Sequence, residues 1–141
     1  ISGERELPLE EFITGNRETA LAEGELLTKF VLPEPAPKSA SRYSYIGLRD
    51  AMEIDAVNMA VNLVLDEDGR TIKDLRLVMG SVFPRPLVSK EVPAIMVGKE
   101  FSADLVEKAA QAVAKEAKPI SDIRASEEYR REVVQIASRG V

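Results

Sequence analysis

The residue types missing from this chain are as informative about its chemistry as those present. Among its 141 residues there is no histidine and no cysteine. A zinc site, a thiolate nucleophile, an iron–sulfur cluster, a haem ligand or a Ser-His-Asp triad therefore cannot be assembled from this chain alone. Carboxylates, hydroxyls, tyrosines and arginines remain. Glu53 and Asp55 stand two apart, and on a strand they would share a face, as paired carboxylates for acid–base work require. Nothing beside them suggests a sugar site. Ser89 and Lys90 imitate a Ser/Lys dyad, but adjacent residues point apart on helix or strand alike. Asp66-Glu67-Asp68 invites a calcium reading. An EF-hand loop counted from Asp66 would need Gly and Glu where Thr71 and Leu77 stand, so a solvated acidic hairpin is the better account. Tyr43 and Tyr45 could stack on an aromatic ligand or sit half-buried on a strand. The stretch from Arg124 to Arg131 offers a docking surface or, more simply, a solvated helix face. The glycines are scattered, so no phosphate-cradling loop is present.

Composition narrows the class further. The balance of 45% hydrophobic and 30% charged residues is that of a globular domain, and the length fits a single one. A net charge of −5, with every short basic run beside acids, argues against nucleic acid as a partner. No apolar stretch approaches the roughly 18–20 residues of a membrane span, and the opening residues are not expected to act as a signal peptide. A reducing compartment is expected, most simply the cytoplasm. The sequence begins at Ile1 rather than Met. It is expected to be one piece of a longer protein, an engineered fragment or a processed product.

The elements that would position these residues follow from periodicity. Leu7–Thr14 reads as a helical turn or irregular segment, broken at Gly15-Asn16. Ala22–Glu25 reads as a turn, and Leu26–Leu32 as a first strand with Leu26, Thr28, Phe30 and Leu32 on one face. Pro33–Lys38 could be a polyproline ligand, but a loop between strands is the plainer reading. Arg42–Leu48 suits a second strand. Val57, Met59, Val61, Leu63 and Leu65 alternate as in a sheet with one face on a core. Asp66–Gly69 turns the chain, and Thr71–Val82 returns as a long strand with a bulge near 72–74. The period then becomes helical. Leu87–Val97 reads as a short helix offset at Pro93 and closed by Gly98. A second helix opens at Ser102, carries Leu105, Val106, Ala109, Ala110, Val113 and Ala117 as its stripe, and stops at Pro119. A last one opens at Ser126, with Tyr129, Val133, Ile136 and Ala137 as its apolar face. Strands first and helices last predict an α+β sandwich: an antiparallel sheet of three to four strands packed on about three helices.

Three stretches together resemble a known family. They are Pro8-Leu9-Glu10-Glu11-Phe12 running to Thr19–Leu27; Arg49-Asp50-Ala51-Met52-Glu53-Ile54 continuing to Val57–Ala60; and Ile120–Val134, with Ser121-Asp122-Ile123-Arg124-Ala125-Ser126-Glu127-Glu128-Tyr129-Arg130 at its centre. In this order they resemble the C-terminal domain of the FAD-binding subunit of molybdenum hydroxylases, the family of xanthine dehydrogenase and carbon monoxide dehydrogenase flavoproteins. The resemblance covers nearly the whole chain and implies the same α+β sandwich. It implies FAD as cofactor, held mostly by a preceding N-terminal FAD-binding domain, with this domain non-catalytic and inactive alone. It further implies partners: a molybdopterin-binding large subunit and a small subunit with [2Fe–2S] clusters, from which electrons reach the flavin. By position it implies that Asn16, Arg17 and Leu27 approach the flavin edge, and that Tyr45, Arg49 and the loop to Glu53 border the acceptor side. Tyr45 stands where many members carry Lys, and Glu53 where Asp is usual. The alternative is a stand-alone interaction module of the same fold without flavin; a weaker one is a small-molecule sensor using Tyr43 and Tyr45.

Overall fold

The stretch with the clearest alternation lies at the centre of the fold. The computed structural model describes residues 3–49 and 54–140. Its elements run α1 (Leu9–Phe12), β1 (Ile13–Gly15), β2 (Glu18–Thr19), β3 (Ser39–Ile46), β4 (Val57–Leu65), β5 (Ile72–Gly80), β6 (Leu87–Val88), α2 (Glu91–Met96), α3 (Ala103–Glu116) and α4 (Glu127–Ser138). Strands β3-β4-β5-β6 form one antiparallel sheet in sequence order, and β1-β2 a separate small ribbon. The α+β sandwich expected from the sequence is the observed architecture.

Register explains which face is buried. Met59 pairs with Met79, Val61 with Leu77 and Leu63 with Leu75, so the odd positions of both central strands share one side. Val57, Met59, Ile72 and Met79 on that side are fully buried. Each such side chain contributes about 1.5–3 kcal/mol of transfer free energy. Val64 pairs with Asp74 and Leu65 with Ile72, leaving Lys73 as the extra residue of a bulge. That one-residue slip lets Ile72 and Leu75, which differ in parity, both face the core. Asp68 organises the preceding turn. Its carboxylate accepts from Arg70 N (2.8 Å), Thr71 N (2.9 Å) and Thr71 Oγ1 (2.6 Å). These bonds, the Thr71 hydroxyl foremost, lower its pKa to about 2.

Helices cover the apolar side. α2 lies on β5, α4 lies on β4 and β3, and α3 packs across α2 and α4. Ser102 caps α3 by accepting from Leu105 N at 3.3 Å, and Ser126 caps α4 by accepting from Tyr129 N at 3.2 Å. α2 begins differently. The Glu116 carboxylate, from the end of α3, accepts Lys90 N (2.9 Å) and Glu91 N (3.3 Å) and takes the hydroxyl proton of buried Ser89 in a hydrogen bond. Ser89 Oγ in turn accepts from Val92 N at 3.1 Å. The apparent Ser/Lys dyad is thus a helix start, with an acid where the helix dipole favours one.

Several expectations change. Leu26–Leu32 is not a strand: it has no ladder partner among the described residues, and Leu26 and Leu32 are 84% and 86% exposed. Its alternation is real, but among the described residues no backbone pairs with it. Leu7–Thr14 holds both α1 and the start of the β1–β2 ribbon. Leu87–Val97 divides into β6 and α2, because Val88 and Leu87 pair with Val78 and Met79. On α4 the buried face is Arg130, Val133, Val134 and Ala137, whereas Tyr129 and Ile136 are exposed. The stripe is turned by about one residue, since the most deeply placed side chain in its first half is an arginine. Pro33–Lys38 is a loop, closed by Ser39 N on Ala36 O at 3.2 Å.

Candidate functional site

The side of the sheet away from the helices is open. Tyr45 pairs with Asn58, Tyr43 with Ala60 and Ser41 with Asn62, so these residues share that face. The two tyrosine rings stack with centroids 6.2 Å apart and planes at 29°. Tyr43 donates its hydroxyl to Asp55 Oδ2 at 3.0 Å, and Asn58 Nδ2 donates to the same oxygen at 3.1 Å. Partial burial, reinforced by the Asp55 carboxylate, raises the Tyr43 pKa above the ordinary phenol value. Asn58 lies flat over Gly80, where an added Cβ would come within 2.2 Å of its Oδ1. Asp55 is therefore engaged by a phenol and an amide. The pairing with Glu53 considered from sequence falls partly outside the described residues.

The expected site residues lie on separate elements. Asn16 and Arg17 form the exposed tip of the β1–β2 ribbon. Arg17 takes a left-handed φ of 63°, unusual for a side-chain-bearing residue. Leu27 sits half-exposed on the 26–32 segment. Tyr45 is on β3, and Arg49 follows it on the exposed connection toward β4. α1, just before the ribbon, is tied to β5 and to the loop after it through Glu10, which accepts from Arg76 Nη2 (2.9 Å, carboxylate) and Arg85 Nη1 (3.2 Å, carbonyl). The 4–29 region is itself knit by Arg5 on Glu25 (2.5 and 2.8 Å) and Lys29 on Glu4 (3.2 Å). Among the described residues, no group of three acids capable of holding a metal ion is found. Flat aromatics, an amide and exposed apolar side chains can form a wall against a ring system or another protein surface. They do not close around one.

Sequence reasoning missed the part played by Arg130. It is 3% exposed, and its guanidinium donates to Ala56 O (2.7 Å), Ser81 O (2.8 Å) and Asp122 Oδ1 (2.7 Å). It thereby ties the entry of β4 and the exit of β5 to the loop before α4. Asp122 also accepts from Arg124 N (2.8 Å) and Ala125 N (3.3 Å), and its pKa falls to about 2, with the Arg124 amide as the leading cause. The other two arginines of the stretch are paired locally, exposed Arg131 with Glu127 at 2.5 Å and half-buried Arg124 with Asp122 at 2.8 Å. The one signal in the sequence was position: Arg130 falls three and four residues before Val133 and Val134, on the face that turns inward.

The fold is thus an α+β sandwich with one sheet face covered by helices and the other open, preceded by an exposed apolar segment. Residues 41–139 match the family model of the CO dehydrogenase flavoprotein C-terminal domain, and the chain belongs to that family. It is 30% identical over 135 residues to the glyceraldehyde dehydrogenase medium chain of Sulfolobus acidocaldarius, covering 96% of this chain and 47% of that protein. It is 27% identical over 140 residues to the putative xanthine dehydrogenase FAD-binding subunit of Escherichia coli, covering 99% and 47%. The chain thus spans about half the length of the curated relatives it matches. Among solved structures, carbon monoxide dehydrogenase from Hydrogenophaga pseudoflava superposes with a TM-score of 0.89 at 23% identity over 97% of this chain and 47% of that one. Quinoline 2-oxidoreductase from Pseudomonas putida 86 gives 0.86 at 23%, over 97% and 46%. At that identity the likeness speaks for the fold alone.

Proposed function

We propose that this chain is the C-terminal domain of the FAD-binding subunit of a molybdenum hydroxylase, forming one wall beside the flavin in a cytoplasmic oxidoreductase complex. The observation that carries it is the family match across the whole sandwich in a chain spanning 47% of relatives named as medium or FAD-binding subunits. The remaining partners on this reading are the preceding FAD-binding domain, a molybdopterin-binding large subunit and a [2Fe–2S] small subunit. FAD, when bound, would supply the two-electron to one-electron exchange between those clusters and a terminal acceptor.

The residues fit one wall of such a site rather than a closed pocket. Leu27 would supply an apolar surface to the ring edge and exclude water there. Arg17, held at the ribbon tip in a strained conformation, would place a positive charge near the ring system. Asn16 would offer an amide beside it. Tyr45 and Arg49 would border the acceptor side, with Tyr45 steadied by its stack on Tyr43. Among the described residues the sandwich offers no catalytic constellation, and on this reading the domain alone would not turn over.

The test is made on the native assembly, purified through this domain and assayed together for flavin, molybdenum and iron. All three in fixed ratio, with the flavin bleached by a reducing substrate, is the expected result. A chain isolated without any of them would overturn the proposal and leave a flavin-free interaction module. Arg17→Ala should shift the flavin reduction potential without loss of folded protein; an unmoved potential removes Arg17 from the site.

A further inference from the structure

The helix side of the sheet carries a feature that the flavin reading does not use. Between β3–β5 and α3 lies a cavity of about 390 Å³. Its origin is in the edge strand. On the core side β3 presents Ala40 and Arg42 opposite Leu63 and Val61, so no large apolar side chain closes the layer there. α3 packs across α2 and α4 rather than down onto the strands, and it meets the space with Val106, Ala109 and Val113. Leu63, Leu77 and Val92 complete an apolar wall.

The mouth is different in chemistry. Arg42 and Ser138 line it, with exposed Phe101 beside them; Ser41, at its rim, turns its side chain to the open face of the sheet. Ser41 Oγ is occupied by Asn62 at 2.8 Å, and Ser138 Oγ donates to Gln135 O at 2.8 Å. Glu107, next to Val106, is held by Arg139 at 2.8 and 3.0 Å. The Arg42 guanidinium forms no hydrogen bond or ion pair among the described residues. A single unpartnered cation thus stands at the opening of an apolar chamber.

We propose that this cavity binds a medium-chain monocarboxylate, its hydrocarbon tail between the sheet and α3 and its carboxylate on Arg42. Guanidinium and carboxylate match as a bidentate pair. An apolar protein cavity of about 150 Å³ holds a six-carbon ring. By that ratio the present one takes on the order of ten to fifteen carbons, within the size range of ligand pockets. It is too small and too apolar for a dinucleotide, and it lies on the opposite side of the sheet from Tyr43 and Tyr45. The inference is therefore independent of the flavin proposal.

The experiment titrates the full native polypeptide with dodecanoate below its micellar concentration, read by calorimetry and thermal shift. One saturable site per chain and a raised Tm are expected, since a ligand that binds only the folded state stabilises it. Arg42→Gln should weaken dodecanoate about tenfold, the loss of one charge-assisted pair, and leave dodecanol unchanged. Val106→Phe, at the mouth, should abolish both. Ala109→Leu, which fills the chamber from below, should do the same if the first variant fails to fold, with the ligand-free Tm as the check on folding. Absence of saturable binding to the folded wild-type protein would overturn the proposal. So would dodecanoate binding undiminished by Arg42→Gln, or retained in the folded filled variant.

Discussion

Arg130 is the residue whose loss the fold would feel most. A buried guanidinium is costly to desolvate, and its Nε has no partner among the described residues. Three good hydrogen bonds offset that cost, two of them on the carbonyls of buried Ala56 and part-buried Ser81. Arg130→Met keeps the apolar stem and removes the fork. It should destabilise by about 2–4 kcal/mol, chiefly through Ala56 O and Ser81 O left without donors, measured by urea unfolding. Asp122 adds a pH signature. Its folded pKa of about 2 lies below the ordinary 3.8, so the stability it contributes is present above pH 3.8 and lost as pH falls toward 2. Asp68 does the same in the hairpin. Stability of the wild-type chain should therefore drop over that window. In Arg130→Met the drop should shrink without vanishing, because the Arg124 amide, the leading cause, remains. An equal drop in both would show the Arg130–Asp122 pair to be energetically silent.

At the scale of elements, local signals and tertiary ones separate cleanly. The period of two in β4, the Asp66–Gly69 turn, the bulge at Lys73 and the Ser102 and Ser126 caps were legible because each depends on residues close in sequence. The face of α4 was misjudged because a buried arginine is decided by carbonyls 49 and 74 residues away. The 26–32 segment alternates like a strand, but pairing needs a partner that periodicity cannot reveal. The flavin-side residues were legible only by resemblance; nothing in their types or spacing singles them out. The start of α2 was not legible either, since its capping carboxylate comes from Glu116 at the far end of another helix. Glu116→Ala should cost about 1–2 kcal/mol by stranding the Ser89 hydroxyl and two amide donors. Glu116→Gln, which keeps an acceptor, should cost less than half as much. Equal costs for the two would mean that packing, not acceptance, is what Glu116 provides.

Over the whole molecule, apolar burial is concentrated in the sandwich, and apolar exposure in the segment before it. Met59, Met79, Val113 and Val134 lie fully inside, whereas Leu26, Leu27, Phe30, Val31 and Leu32 stand largely in solvent. On the function proposed above, this exposed apolar run is covered by a neighbouring domain or subunit. Its backbone has no ladder to protect it, and the salt bridges that hold the 4–29 region are exposed ones worth about 0–1 kcal/mol each. Local opening there should cost far less than global unfolding. Amide exchange followed by mass spectrometry should thus find 26–32 exchanged at the earliest times in the 141-residue chain, with β4, β5 and α3 the slowest. In the native assembly the same segment should become protected, because the surface that covers Leu26, Phe30 and Leu32 also supplies the missing backbone partners or excludes water from them. Exchange at 26–32 that is equally fast in both states would leave the apolar run uncovered and remove the structural ground for placing Leu27 at a shared wall.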